Sequence, residues 1–120
     1  MRVAGFGFRS TATLASLLDA LDRAGGEVGL LATAEEKAGA PVAGAFAARL
    51  GLDLVPVSRE RLAGADVLTR SARVMARFGT GSVAEAAALV AAGRGARLVG
   101  PRVVSGDGLA TVAIAERDGE

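Results

Sequence analysis

Lys37 has the most distinctive chemistry in this sequence, because it is the only lysine among 14 basic residues. It lies in the segment "LATAEEKAGAP", directly after the carboxylates Glu35 and Glu36. A lysine ammonium is a compact donor that can lose its proton when it is desolvated, whereas an arginine in a protein stays charged. Adjacent carboxylates favour the charged form of the amine. The segment therefore favours an ammonium that binds a ligand carboxylate over a free-amine nucleophile.

A second candidate site lies in the opening segment "GFGFRST", where Gly5 and Gly7 follow a short apolar run. Backbone amides at such a strand-to-helix junction can hold an anion, with Arg9 as the candidate partner. The dinucleotide fingerprint would need a third glycine where Ser10 stands and an acidic residue where Thr33 stands. We therefore expect a small-ligand site here, with close packing and a turn as the structural alternative.

The segment "GTGSVAEAAALVAAG" is the third candidate, because it combines a loose turn with a helix start. Ser82 and Glu85 have the spacing of a capping box, in which the two residues satisfy each other's backbone amides. Thr80, Gly81, Ser82 and the free amides of this turn could bind a carboxylate or a phosphate. A purely structural cap is the alternative interpretation.

Three arginines, Arg70, Arg73 and Arg77, follow each other at spacings of three and four residues. In a helix, this spacing places them in one cationic stripe. We interpret the stripe as a solvated face. The alternative is that its guanidinium groups bind the carboxylates of a polyacid ligand.

Composition excludes several kinds of chemistry. The chain has no histidine, cysteine, tyrosine or tryptophan, so it lacks an imidazole base, a thiol nucleophile and a soft metal ligand, and we expect no metal site and no cofactor. A net charge of +1 with interleaved signs argues against nucleic acid as a partner. Apolar runs are too short for a membrane span or a signal peptide, and we expect no membrane contact and a cytoplasmic location.

The rest of the sequence predicts a single α/β domain over residues 1–120. Apolar runs at 3–8, 28–33 and 52–58 predict strands, and leucines at helical spacing after the first run predict a helix capped by Ser10 or Thr11. Pro41 suits a first helical turn, and Pro56 restricts the third strand to an edge or an end. The last thirty residues predict a β-hairpin across "GDG". We expect a layered α/β/α sandwich with a mixed sheet.

Several segments resemble one known family, the cobalamin biosynthesis CobE proteins and the C-terminal domain of CbiG. The resemblance is carried by "VAGFGFR", "ATAEEKAGAP", "FAARLGLDLVPVS", "VMARFGTGSVAEAAALVAAG" and "LATVAIAER". These segments occur in the family's order and cover nearly the whole chain.

The resemblance implies a role in making the corrin ring of vitamin B12, by binding or acting on a precorrin or hydrogenobyrinate-like intermediate. Such a macrocycle is flat and rimmed with carboxylates, so Lys37 and Arg9 would supply cations, and Phe6 and Phe8 an apolar floor. The resemblance leaves two alternatives. One is a component of the cobalt-precorrin-5A lactone hydrolase, in which Lys37 and Glu35 or Glu36 would assist attack by water. The other is a non-catalytic subunit that docks other cobalamin-pathway enzymes.

Overall fold

A mixed sheet of six strands forms the middle layer of the computed structural model, which describes residues 1–118. Its order is β3-β2-β1-β6-β4, and β5 also pairs with β6. The first three strands are parallel, and β6 is antiparallel to β1. The strands are β1 (Arg2–Phe8), β2 (Leu30–Ala34), β3 (Leu54–Val57), β4 (Arg97–Leu98), β5 (Val103–Val104) and β6 (Ala110–Glu116).

Helices cover both faces of this sheet, which confirms the predicted α/β/α sandwich. One apolar core lies between the sheet, α1 and α3, and the other lies between the sheet, α4 and α6. No single helix in residues 1–118 is long and apolar enough to cross a membrane; α5 and α6 pass that test only as a pair, with a bend of 56° between them. The helices are α1 (Leu14–Ala24), α2 (Glu35–Ala38), α3 (Pro41–Leu50), α4 (Arg59–Ala63), α5 (Ala72–Phe78) and α6 (Val83–Ala92).

Strand β1 lies at the centre of the sheet, and its successive side chains point to opposite faces and so contribute to different cores. Val3 faces the core beneath α6, whereas Ala4 and Phe6 face the core beneath α1 and α3. Gly5 shares the α6 face, and a Cβ atom added to it would lie 2.0 Å from the carbonyl oxygen of Ala84. Only glycine permits α6 to pack this closely on the sheet. The many alanines of α6 also permit this close contact, because their side chains are small.

Local signals identified the elements better than their ends, since the apolar runs at 28–33 and 52–58 form β2 (Leu30–Ala34) and β3 (Leu54–Val57). Pro41 occupies the first turn of α3, and Pro56 lies on the edge strand β3. The prediction of Ser10 or Thr11 as the cap of α1 was wrong, because Thr13 caps it. Thr13 and Ser16 form a capping box: the Thr13 side chain accepts a bond from the Ser16 amide, and the Ser16 side chain accepts one from the Thr13 amide. The second of these bonds favours the later start of the helix. The predicted hairpin is confirmed, although its first arm is divided into β4 and β5.

Candidate functional site

The main cavity lies where β1 and β2 end and β6 begins. The carboxyl ends of parallel strands meet at one edge of a sheet, and the antiparallel pairing of Phe8 with Ala110 brings the start of β6 to that edge. The cavity has a volume of about 690 Å³. It is lined by Gly7, Phe8, Arg9, Ser10, Thr11, Lys37, Arg73, Val74, Arg77, Phe78, Val83, Arg102, Val104, Gly108, Leu109, Ala110 and Thr111.

Lys37 lies in this cavity, as its position after a strand suggested. It belongs to the short helix α2, which begins directly after β2, and its Nζ atom lies 4.5 Å from the centroid of the Phe8 ring. The Phe8 ring stacks on Phe6, with 5.9 Å between ring centroids. Phe6 was expected in the apolar floor, but it is fully buried and contacts Phe46 from the core side. Phe8 is therefore the ring that faces the cavity, and Phe6 supports it.

The pKa of Lys37 is shifted in the direction opposite to the one that its sequence neighbours suggest. Burial of the amine lowers the pKa from its usual value, and the nearby charge of Arg77 lowers it further. Glu36 acts in the opposite direction, but its effect is smaller. Glu36 also lies 3.8 Å from the guanidinium of Arg77, so part of its charge is compensated by that arginine. The amine is thus less firmly protonated than a solvated lysine.

Among residues 1–118, five cationic side chains and no carboxylate line the cavity. Within residues 1–118, Arg77 is the only one of the five that forms an ion pair. Cations that converge without carboxylate partners create a positive local potential, which favours an anionic ligand. The five residues are Arg9, Lys37, Arg73, Arg77 and Arg102.

The cationic stripe is divided by the structure. Arg73 and Arg77 line the cavity from α5, whereas Arg70 precedes that helix, is exposed and does not line the cavity. The interpretation of a purely solvated face therefore fits Arg70 better than the other two. Val74 and Phe78, which neighbour these arginines in α5, are partly buried against the core beneath α6 and also line the cavity, so they hold the helix at the cavity edge.

Other predicted residues lie outside the cavity lining. Gly5 lies beneath α6, and Gly81 packs on the backbone of Thr69, where an added Cβ would lie 2.4 Å from the carbonyl oxygen. Thr80 and Ser82 are buried, and Ser82 caps α6 by accepting a bond from the amide of Glu85. Glu35 and Glu36 are exposed and are not among the lining residues. Gly7, Arg9 and Lys37 are the predicted ligand-binding residues that the cavity brings together.

Glu85 is one residue of the predicted capping box, but its carboxylate binds loop backbone amides instead of the start of α6. The residue is fully buried, and its two oxygens accept bonds from the amides of Leu68 (2.6 Å), Thr69 (2.9 Å) and Arg102 (2.8 Å) and from the Thr69 hydroxyl (2.5 Å). Burial raises the pKa of Glu85, but these hydrogen bonds outweigh it and the net pKa is lowered. Glu85 thereby fixes two irregular segments, one leading to α5 and one carrying Arg102.

Arg102 is the site residue that the sequence reasoning missed. It follows a proline in "GPRVV", between β4 and β5, and no local pattern distinguishes it from the other arginines. The pairing of β5 with β6 and of β6 with β1 brings this late segment to the cavity. Glu85 accepts a hydrogen bond from the Arg102 amide, 17 positions further along the chain, and this separation gives no recognisable local motif.

The chemistry available in the cavity is mainly recognition of an anion. Guanidinium groups bind carboxylates through paired, charge-assisted hydrogen bonds. Phe8, Val83 and Phe78 add apolar surface for a flat ligand. Lys37 is the cationic lining residue that can lose its charge most readily, because burial lowers the pKa of its amine and arginines in proteins stay charged. Among residues 1–118, no group of three or more acidic side chains is placed to hold a metal ion.

The fold and the cavity together define a small three-layer α/β domain with a cation-lined candidate site. The chain belongs to the family described as "Cobalamin synthesis G C-terminus", which it matches over residues 2–115. It is a cobalamin biosynthesis protein of the CobE/CbiG type.

Solved structures agree with this family. A crystal structure of CobE, described as a protein from the cobalamin (vitamin B12) biosynthetic pathway, is 28% identical with a TM-score of 0.83, covering 100% of this chain and 92% of that one. The cobalamin biosynthesis protein chiG from Agrobacterium tumefaciens is 38% identical with a TM-score of 0.74, covering 99% and 100%. A structure described as a cobalamin biosynthesis protein G homolog from Sulfolobus solfataricus shares the fold at 21% identity and a TM-score of 0.69; the match covers 98% of this chain and 37% of that one. Among curated proteins, none matches the chain.

Proposed function

We propose that this protein binds a corrin-ring precursor in the cavity at the edge of the sheet. The observation that carries the proposal is the set of five cations, with no carboxylate from residues 1–118, around a cavity of about 690 Å³. Precursors of the corrin ring bear several acetate and propionate groups, and a ligand with scattered carboxylates requires scattered cations. Membership of the cobalamin synthesis family supports this class of ligand.

The arrangement of the cations suits a ligand with charges around its rim. Arg9 belongs to the loop after β1, Arg73 to α5 and Arg102 to the loop before β5, so the charges approach from separate elements. The side chain of Phe8 lies among them and offers an aromatic face. In this proposal the macrocycle packs on the apolar surface, and its carboxylates bind the surrounding cations.

The volume agrees with a small-molecule site. Pockets for such ligands occupy roughly 300–1,000 Å³ and combine apolar walls with a few polar groups. The cavity is open to solvent at the exposed residues Arg9 and Arg73, so propionate arms can extend outward while the ring is held. Binding therefore does not require the whole macrocycle to be enclosed.

Replacing Lys37 with alanine should weaken binding of hydrogenobyrinic acid by about 10-fold, because one charge-assisted hydrogen bond is lost. The half-buried side chain makes no hydrogen bond or ion pair within residues 1–118, so the thermal midpoint should stay near that of the wild type. Arginine at position 37 keeps the charge and should restore most of the affinity. Titration followed by the visible absorption of the macrocycle measures all three proteins.

The matched control is Arg49→Ala, which removes one exposed charge from α3, away from the cavity. This variant should bind with wild-type affinity. Equal affinities for the wild type and Lys37→Ala would remove Lys37 from the binding site. A loss of affinity in Arg49→Ala as large as that in Lys37→Ala would show that only net charge matters.

A further inference from the structure

We propose that Lys37 is also a reactive amine, which forms a reversible imine with an aldehyde or ketone that carries a carboxylate. This inference uses the anion-binding cavity of the proposed function but does not require a corrinoid. It assigns to Lys37 a covalent chemistry that charge recognition alone does not include.

The geometry sets Lys37 apart from a surface lysine. Its Nζ atom lies 4.5 Å from the centroid of the Phe8 ring, in a cavity whose other charged lining groups are all guanidinium groups. Among these arginines, Arg77 is the one whose charge lowers the pKa of Lys37. The carboxylate of Glu36 raises the pKa of Lys37. Its Oε1 atom also lies 3.8 Å from Nε of Arg77, with which it forms an ion pair.

These surroundings make the Lys37 ammonium easier to deprotonate than that of a solvated lysine. Desolvation and a neighbouring cation both disfavour an ammonium, and this combination is a known way to activate a lysine nucleophile. The Phe8 ring opposes the effect, because a cation over an aromatic face gains about 0.5–1 kcal/mol at an exposed site. The net direction given by burial and Arg77 is a lowered pKa.

The arginines supply the second requirement, which is a way to hold the carbonyl compound beside the amine. Arg9, Arg73 and Arg102 line the same cavity, and their guanidinium groups can bind the carboxylate of the reactant. Holding two reacting groups together greatly accelerates their reaction relative to free solution. A carboxylated aldehyde should therefore react faster than a neutral aldehyde of similar size.

The proposed step needs no oxidant or reductant. The lone pair of Nζ attacks the carbonyl carbon, a C–N bond forms, and the electrons of the C=O π bond move to oxygen. A proton passes from nitrogen to that oxygen and gives a carbinolamine. Loss of the oxygen as water, with a second proton, then produces the imine. Hydrolysis by the reverse path regenerates the amine.

The sequence offers an internal standard for a test, because Lys37 and the α-amino group of Met1 are its only primary amines. The reagents are glyoxylate and sodium cyanoborohydride at pH 7, which convert an imine into a stable carboxymethyl amine that peptide mass mapping can locate. An ordinary lysine has a pKa about 2.5 units above that of an α-amino group, so its neutral fraction at pH 7 is roughly 300-fold smaller.

We expect glyoxylate to modify Lys37 more slowly than Met1 by clearly less than the roughly 300-fold expected for an ordinary lysine. The ratio of Lys37 to Met1 modification should be larger with glyoxylate than with propionaldehyde, because only glyoxylate carries a carboxylate. Arg77→Gln should slow labelling of Lys37, since it removes the neighbouring cation and frees Glu36 to act on the ammonium. Modification of Met1 alone, with Lys37 slower by the factor expected for an ordinary lysine, would overturn the proposal.

The result is separable from the proposed function. Lys37→Arg removes the amine, so it should lose labelling at position 37, and binding of hydrogenobyrinic acid is measured separately on the wild-type protein. Normal macrocycle binding with an unreactive Lys37 would refute only the reactive amine. Rapid labelling of Lys37 in a protein that does not bind the macrocycle would refute only the corrinoid proposal.

Discussion

Replacing Gly5 with alanine should lower the free energy of unfolding by about 3 kcal/mol, at the upper end of the usual cost of overpacking a core. The added Cβ would lie 2.0 Å from the carbonyl oxygen of Ala84 and 2.5 Å from the amide nitrogen of Ala88. Both are backbone atoms of α6, so no side-chain rotation can relieve the contact. The helix must move away from β1, which opens the core on that face. Urea denaturation followed by circular dichroism measures the change.

Gly44→Ala is the matched control for this substitution. Gly44 is an exposed residue within α3, and an added Cβ would meet no atom within 4 Å. The change should stabilise the protein by about 0.5–1 kcal/mol, because alanine is the better helix former. A Gly5→Ala protein as stable as the wild type would contradict the proposed contact between α6 and the sheet.

Replacing Glu85 with glutamine should cost about 3 kcal/mol, because a buried carboxylate with charge-assisted bonds becomes neutral. One carboxylate oxygen accepts bonds from the amides of Leu68 and Thr69, and the other from the Thr69 hydroxyl and the Arg102 amide. The side-chain NH₂ of glutamine cannot accept bonds, so it leaves a backbone N–H or a hydroxyl without its partner. The segment that carries Arg102 should loosen as a result.

The pH dependence of unfolding checks the same residue. The folded-state pKa of Glu85 is lowered from 4.5, so its ionisation stabilises the fold above about pH 4.5, and that contribution is lost as pH falls through the folded-state pKa. The difference in stability between the wild type and Glu85→Gln should therefore be largest near neutral pH and shrink in acid. A difference that stays constant down to pH 2 would contradict a buried, ionised Glu85.

The sheet and its helices could largely be predicted from local sequence signals. Apolar runs, Pro41 and Pro56 each act over a few residues, and the structure follows them. The cap of α1 differs from the prediction because Thr13 and Ser16 each accept a hydrogen bond from the other's backbone amide. The cap therefore depends on a pair of residues, and a search for a single capping residue does not find it. Local patterns therefore fixed which elements form more reliably than the residue where each begins.

The cavity could be predicted only in part. Gly7 lies near the end of β1, and Arg9 and Lys37 follow β1 and the adjacent parallel strand β2; a general rule for α/β folds places residues at such strand ends together. Arg102 reaches them only because β6 pairs antiparallel to β1, a contact between distant parts of the chain. The role of Glu85 is likewise non-local, since its spacing suggested a helix cap and its carboxylate binds two loops instead.

The most direct test of the central claim compares two double variants that remove the same net charge. Arg9→Gln with Arg102→Gln removes two cavity cations, whereas Arg49→Gln with Arg94→Gln removes two exposed arginines outside the cavity. Titration with hydrogenobyrinic acid should show affinity reduced by about 100-fold in the first variant, since each lost charged bond is worth about 1.5 kcal/mol. The second variant should bind like the wild type. Equal affinity in the two variants would contradict a cation-lined site for a corrin-ring precursor.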